Sequence, residues 1–416
     1  MRQATSPPDQ HNASTEHPLS IREAQERTQR LAVIRREIDT VDEKLLTLLN
    51  QRAALSLEVG SIKSGDTTGI VFKPLREREV LDALESRNGG PLPNAHLRAI
   101  WREIFSSSRA LQRPQKVAYL GPEGTFSHFA GMEYLGGAVD FQPCRDLHDV
   151  FHTVHHRQCE LGVVPLENSL QGTVGQSFDL FYKYPVYIQA ELFSRITHAL
   201  LSTDPSLSTV QRVYSHPQPL AQCDAWLRAN LPGVSLIPVE STAAAARRAA
   251  HEEHAAAIGN ARLVDMLPLR ILAQAIEDEP GNWTRFVIIG PISPRATVGG
   301  VPQPLPGPDM SSVADKTSLL FTLPDKPGAL SSVLDTLATH AINMRKLESR
   351  PLRQAGGECW KYVFFADVEC DLEDPAHALL VGRLRELCNT FRILGSYPTG
   401  PQLDRGNENS PKEATC

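Results

Sequence analysis

No two cysteines in this sequence are spaced as CxxC, and the seven present are an odd, scattered set. There is therefore no disulfide framework or zinc-ribbon pattern, and reduced thiols in a cytoplasmic protein are the expectation. No apolar run approaches the roughly 18 residues that cross a bilayer, so no membrane partner is expected. An excess of basic charge is missing too. The 42 Lys and Arg against 48 Asp and Glu give −6 with signs intermixed, which offers no nucleic-acid partner an electrostatic footprint. Residues 1–22 are polar and rich in Pro, Ser, Thr and His without the apolar core of a signal peptide, and are expected to be disordered. The glycine turn GPEGTFSHFAG at 121–131 lacks the Walker lysine and the dinucleotide spacing, so no nucleotide is expected there, and no cofactor elsewhere. No internal repeat is evident.

What the chain does have is length: 416 residues, room for roughly two to four domains. Proline-rich joints divide it. Gln112–Gln115 is a short hinge, and 291–308 holds six prolines and three glycines, the composition of a linker. The expected order is a helical domain over 23–113, an α/β domain over 116–291, a linker over 292–314, a second mixed domain over 315–400 and a tail over 401–416.

The longest apolar seam runs through Leu31, Ile34, Ile38, Val41, Leu45, Leu48, Leu55, Val59 and Ile62. Its alternating three- and four-residue spacing predicts a long helix packed on other helices, roughly 45 Å from end to end. Arg52 interrupts the seam between Leu48 and Leu55. A buried guanidinium cannot shed its proton and needs an anion, so a pocket for an anionic ligand is expected. Lys63 lies eleven residues on, close to three full turns, on nearly the same face. Arg35 is too far along the rod to join a pocket that Lys63 reaches, and could enter it only from a second chain. The alternative for Arg35 and Lys63 is that they are solvated flank charges. A second helix should start after Pro74, with Arg76 and Glu77 in its first turns. A third carries Leu97, Trp101, Ile104, Phe105 and Ser108 inward, with Gln112 one turn beyond Ser108.

Residues 30–112 resemble the helical chorismate mutase family. The resemblance implies that Arg35 of a partner subunit and Arg52 bind the two carboxylates of chorismate. Lys63 and Gln112 would face the ether oxygen, Glu77 the ring hydroxyl and Ser108 a carboxylate, with Arg76 in support. Lys73 stands where some members carry an aspartate. The reaction is a pericyclic rearrangement that builds negative charge on the ether oxygen, so fixed donors suffice and no nucleophile is needed.

From Lys116 to Gly290 strands alternate with helices. Buried-type strands are expected at 117–120, 161–164, 210–214, 235–237, 255–258 and 286–289, with an alanine-rich helix from Ala243 capped by Ser241 or Thr242. Polar residues gather in the loops after strands, where open α/β sheets bind ligands. The GPEGTFS turn can present backbone N–H groups to an anion at a helix start, or can be purely structural. Asn282-Trp283-Thr284-Arg285-Phe286 sets a hydroxyl beside a cation. His148, His152 and His156 recur at four-residue spacing near His155 and Cys159. That pattern is read as a histidine-rich surface helix and not as a metal site.

Five segments in order, GPEGTFS, VVPLENSLQG, YSHPQPLAQC, ESTAAAA and NWTRF, closely resemble prephenate dehydratase across 116–290. The resemblance implies a two-lobed, periplasmic-binding-protein-like α/β fold with its site in the cleft. Thr284 would assist the leaving hydroxyl and Arg285 would hold a substrate carboxylate. Thr125, Ser127, Asn168, Ser169, Gln218, Asn282 and Phe286 would complete the pocket. Glu167 or His216 could share the proton transfer, since a threonine is a weak acid at pH 7.

Residues 316–399 read β-α-β-β-α-β and resemble an ACT domain, an α+β ferredoxin-like fold. The PxKPGAL turn and the Glu-Ser-Arg-Pro segment are similar to the phenylalanine-binding motifs of these dehydratases. They imply an effector site at Gly328, Ala329, Leu330, Glu348, Ser349, Arg350 and Pro351, between paired domains of two subunits; a plain dimerisation module is the alternative. Together the three modules resemble the bifunctional chorismate mutase–prephenate dehydratase family. The resemblance implies conversion of chorismate to prephenate and then phenylpyruvate, inhibition by phenylalanine, and at least a homodimer. Two other readings fit parts of the pattern: a dehydratase with a weakened mutase, and a non-catalytic amino-acid sensor.

Overall fold

The computed structural model describes residues 21–62, 71–294, 315–352 and 361–403. Lys63 and most of the linker and tail lie outside them. The chain forms two compact units, Met1–Glu58 and Val59–Cys416. The first unit is described only as helix α1, which spans Ile21–Ile62 and so ends inside the second unit. No proline interrupts it, and its opening residues are good helix formers, which carries it back into the segment expected to be disordered. Among the described residues the apolar seam is exposed, Leu48 by 60% and Leu55 by 62%.

The second unit begins with the last turn of α1, then α2 (Pro74–Arg87) and α3 (Asn94–Gln112). Pro74 occupies the first position of α2, where its missing N–H costs nothing. At Gly60 a Cβ would come within 3.1 Å of the Gln112 Cα, so the two helix ends approach backbone to backbone.

The chain then builds β1 (Lys116–Leu120), α4 (Phe126–Leu135), β2 (Asp140–Cys144), α5 (Leu147–His155) and β3 (Leu161–Asn168). Next come β4 (Gly172–Thr173), α6 (Gly175–Lys183) and β5 (Tyr187–Arg195). It crosses to a second lobe: β6 (Ala199–Ser202), β7 (Arg212–Ser215), α7 (Pro217–Gln222), α8 (Asp224–Asn230), β8 (Ser235–Pro238), α9 (Thr242–Ala249), β9 (Ala255–Gly259) and β10 (Arg270–Gln274). Strand β11 (Trp283–Gly290) returns to the first lobe. Ser241 caps α9, accepting from Ala244 N at 3.0 Å. The lobes hold separate sheets, ordered β5-β11-β3-β1-β2 with β4 on β3, and β10-β6-β9-β7-β8. The chain passes between them twice, at 196–198 and 275–282.

The C-terminal domain is β12 (Lys316–Thr322), α10 (Ala329–Thr339), β13 (Met344–Pro351), β14 (Tyr362–Val368), α11 (Ala378–Leu387) and β15 (Thr390–Tyr397), in sheet order β13-β14-β12-β15. One face of this sheet packs on its helices through Leu319, Val333, Leu337 and Leu384. The other joins the core of the first lobe, where Leu320, Val363, Phe365 and Leu394 meet Phe178, Phe181 and Ile188. The segment read as a tail continues this docking: β16 (Gln402–Leu403) pairs in parallel with β5 of the first lobe.

Candidate active sites

Strands β1 and β3 are parallel neighbours, so the turn after β1 and the loop after β3 emerge at one end of the sheet. Strand β11 runs antiparallel to β3 and brings its first residues to that same end, with Thr284 opposite Asn168 and Arg285 opposite Glu167. The GPEGTFS turn also touches the second lobe. Arg247 Nη2 donates to the Glu123 carbonyl at 2.7 Å, and the Phe126 ring meets His198 edge-on at 5.7 Å. These elements line the junction of the lobes.

Asn168 is the hub of this site. Its Oδ1 accepts from Leu170 N at 3.1 Å and Gln171 N at 3.0 Å, which fixes which way the amide points. Its Nδ2 therefore faces β11, donating to Thr284 Oγ1 at 3.0 Å and to Asn282 Oδ1 at 2.7 Å. With an acceptor position of Oγ1 occupied, the Thr284 hydroxyl hydrogen is free to be donated elsewhere. Ser169 fastens the same loop: its N donates to the Trp283 carbonyl at 2.8 Å, and its hydroxyl accepts from Trp283 N at 2.9 Å. Thr125 precedes α4 and spends its hydroxyl on the Leu120 carbonyl at 2.8 Å, while Ser127 is buried in the first turn of α4. His216 caps α7, its Nδ1 accepting from Gln218 N at 3.3 Å.

Three expected pocket residues face elsewhere. The strand begins at Trp283, not at 286, so consecutive residues alternate across the sheet. Arg285 thus points away from Thr284. It is buried and donates to Glu191 Oε2 at 2.7 Å, Asp367 Oδ2 at 2.6 Å and the Tyr397 hydroxyl at 3.2 Å. Lys316 shares both carboxylates, so the guanidinium is engaged in a charge cluster on the face away from Thr284. Glu167 follows Arg285 to that face and pairs with Lys346 Nζ at 2.8 Å. Phe286 shares the Thr284 face but lies in the first-lobe core with Tyr119, Leu135 and Ile288. The sequence reading missed Glu191, Lys316, Lys346 and Asp367. For Glu191 and Asp367 the signal available was a charge inside a largely apolar strand, whereas Lys346 stands among other charges of β13 and Lys316 at the start of β12.

In the helical domain, Gln112 Nε2 donates to the Ser108 carbonyl at 3.3 Å and the Ser108 hydroxyl to the Ile104 carbonyl at 2.8 Å. Arg76 pairs with Glu79 at 3.1 Å. Glu77 Oε1 is bonded to Arg109, a buried residue that also reaches Gln115 and the Leu135 carbonyl. Arg109 lies four residues after Phe105 on the inward face, the same kind of break that singled out Arg52. Arg52 is half-buried and Arg35 exposed on α1.

In the C-terminal domain β13 and β12 run the same way, because each is antiparallel to β14. The turn before α10 and the Ser349–Pro351 end therefore share one end of the sheet. Gly328 has φ +79 directly before α10. The histidine helix is α5. His148 Nε2 engages the Tyr184 hydroxyl at 2.8 Å and Lys183 Nζ at 3.0 Å. Among the described residues, Asp146, His148 and Asp149 place ligand atoms within 4.8 Å of one another, but Arg145 sits 3.7 Å from both carboxylates.

Family models match in the same order as these domains: chorismate mutase type II over 34–113, prephenate dehydratase over 117–293 and the ACT domain over 317–378. A bifunctional chorismate mutase/prephenate dehydratase of Aquifex aeolicus is 39% identical over 372 residues, covering 88% of this chain and 98% of that protein. The chain belongs to the bifunctional chorismate mutase/prephenate dehydratase family. Its helical domain is a chorismate mutase and its two-lobed domain a prephenate dehydratase. Among solved structures, a prephenate dehydratase from Arthrobacter aurescens in complex with L-Phe is 30% identical with TM-score 0.58, covering 68% of this chain and 90% of that one. GqqA, described as a novel type of quorum quenching acylase, is also 30% identical with TM-score 0.58, covering 69% of this chain and 98% of that one.

Proposed function

We propose that the dehydratase site of this family member is the Asn168–Thr284 pair and that it acts through the orientation of one hydroxyl. Prephenate loses carbon dioxide and hydroxide as its ring becomes aromatic, and the departing hydroxide needs a proton or a strong donor. The observation that carries the reading is the fixed Asn168 amide, whose Nδ2 occupies Thr284 Oγ1 at 3.0 Å and turns the hydroxyl hydrogen outward. Thr284 then donates to the leaving hydroxyl, Asn282 and Ser169 hold the strand and loop that carry it, and His216 and Gln218 approach from the second lobe. The start of α4, with Thr125 and Ser127, receives a substrate carboxylate on its backbone N–H groups.

In the mutase, Arg52 and Arg35 of the partner subunit bind the two carboxylates of chorismate. Gln112 and Lys63 donate to the ether oxygen as it gains charge, and Ser108 adds a carboxylate contact. Glu77 takes the ring hydroxyl, and Arg76 supports α2. A 42-residue helix with a bare apolar seam calls for cover, and a second copy of the chain supplies it in a homodimer. Phenylalanine binds the C-terminal domains at Gly328–Leu330 and Glu348–Pro351 and inhibits the dehydratase. The protein works in the cytoplasm and needs no cofactor.

The test separates the two sites. Given chorismate, Thr284→Val should accumulate prephenate without phenylpyruvate. Arg52→Ala should make phenylpyruvate from supplied prephenate but not from chorismate. Phenylpyruvate formed by Thr284→Val at the unsubstituted rate would reject the dehydratase assignment.

A further inference from the structure

Two pairs of neighbouring strands meet face to face where the C-terminal domain docks. On the dehydratase side, Glu167 of β3 and Arg285 of β11 are register partners, one position along from the partners Asn168 and Thr284. On the C-terminal side, Lys346 of β13 and Asp367 of β14 are register partners too. The two rungs grip each other: Lys346 Nζ lies 2.8 Å from Glu167 Oε2, and Arg285 Nη1 lies 2.6 Å from Asp367 Oδ2. Further contacts stiffen the clamp. Lys316 Nζ reaches Glu191 at 3.0 Å and Asp367 at 3.6 Å, and Lys346 also approaches Thr173 of β4 at 3.4 Å.

We propose that Lys346 and Asp367 are positioning residues for the dehydratase, holding Asn168 and Thr284 in place through Glu167 and Arg285. The proposal rests on the assignment of Asn168–Thr284 as the dehydratase site. Each strand alternates, so a residue pulled from one face moves its neighbour on the other. A backbone shift at Glu167 or Arg285 changes the Asn168–Thr284 geometry and with it the aim of the hydroxyl. Lys346 lies on the same strand as Glu348–Pro351, the segment proposed to bind phenylalanine. Arg350, four residues along from Lys346, reaches Asp179 of α6 at 3.4 Å. A change in β13 on binding the effector is thereby delivered to both strands that carry the site, and no separate moving element is required.

Lys346→Met is the direct test, because Lys346 Nζ lies 5.3 Å from the Phe178 ring centroid and methionine leaves an apolar chain of similar length there without the charge. Asp367 is too deeply buried for a clean substitution. In the full chain, Lys346→Met should lower kcat on prephenate several-fold with KM nearly unchanged. The rate remaining at saturating phenylalanine should rise several-fold, while phenylalanine binding by equilibrium dialysis and the mutase rate stay at their original values. Lys346→Arg should restore kcat and inhibition. Unchanged kcat and unchanged inhibition in Lys346→Met would overturn the proposal. So would lost phenylalanine binding, which would place Lys346 in the effector site itself. If the unsubstituted chain failed to consume prephenate, the site assignment would fall first and this proposal with it.

Discussion

Thr284 and Arg285 are consecutive in β11 and serve opposite faces of it. The Thr284 hydroxyl accepts from Asn168 Nδ2 at 3.0 Å, and Arg285 Nη1 donates to Asp367 across the domain junction at 2.6 Å. One residue belongs to the chemistry and the next to the seam with the C-terminal domain. The buried Arg285 is held fully charged: burial disfavours its charge, but Asp367, Tyr397 and Glu191 outweigh that and raise its pKa well above the usual arginine value.

Arg285→Ala should therefore act mainly on stability. It leaves Glu191 and Asp367 buried with one cation fewer, which costs about 3–5 kcal/mol. Urea unfolding of the purified chain measures it. Arg285→Lys should recover only part of the loss, since an ammonium cannot reproduce the planar fork that spans both carboxylates. A stable Arg285→Ala with a raised KM for prephenate would instead return Arg285 to the substrate.

Because Asn168 orients the Thr284 hydroxyl, variants at 168 should fall in a definite order. In Asn168→Asp a carboxylate faces Thr284 Oγ1 and draws the hydroxyl hydrogen to itself, so kcat on prephenate should fall about a hundredfold. Asn168→Ala leaves the hydroxyl unaimed but not captured, and should retain more activity. Steady-state kinetics on prephenate check the order. Asn168→Asp being the more active variant would contradict it.

Gln112 gives the mutase a pH signature. An amide donates at every pH, so the unsubstituted mutase should work well at neutral pH. Gln112→Glu places a carboxylate at the ether oxygen, which donates only when protonated. Its rate should rise as the medium is acidified toward the ordinary glutamate pKa, about 4.3, while remaining low at neutral pH. A flat profile for the variant would remove Gln112 from the ether oxygen.

His198 links acid to stability at the crossing between lobes. It is buried, its Nε2 pairs with Gln222 at 2.9 Å, its N donates to Glu277 at 2.9 Å, and the Phe126 ring lies against it. Burial holds its pKa below the ordinary histidine value, against the smaller opposing effects of Gln222 and Glu277. The unfolded chain therefore binds more protons between the two pKa values. This contribution to stability is complete above the unfolded pKa of about 6.5 and is lost as pH falls below it. His198→Gln should show a smaller Tm decrease than the unsubstituted chain on going from neutral to mildly acidic pH. His128, shifted in the same direction by burial, supplies part of the remaining slope.

Much of this architecture is written locally. Pro74 at the start of α2, Ser241 capping α9 and the glycine turn before α10 each follow from short-range chemistry, and the structure has them where the sequence places them; α1 forms too, but its seam, expected to pack on other helices, is exposed among the described residues. Strand β5 was not legible, because Gln189 and Glu191 break its apolar run and Glu191 is buried only through partners nearly a hundred residues or more away. The same non-local pairing hid Lys346 and Asp367. The direction of Arg285 was readable in principle. Once Trp283 is taken as the start of the strand, alternation alone parts it from Thr284.

The most direct test supplies chorismate alone to the purified full-length chain, without metal or cofactor, and follows prephenate and phenylpyruvate with and without phenylalanine. Prephenate appearing first, phenylpyruvate following, and phenylpyruvate falling when phenylalanine is added is the result predicted. No phenylpyruvate, even from supplied prephenate, would contradict the account.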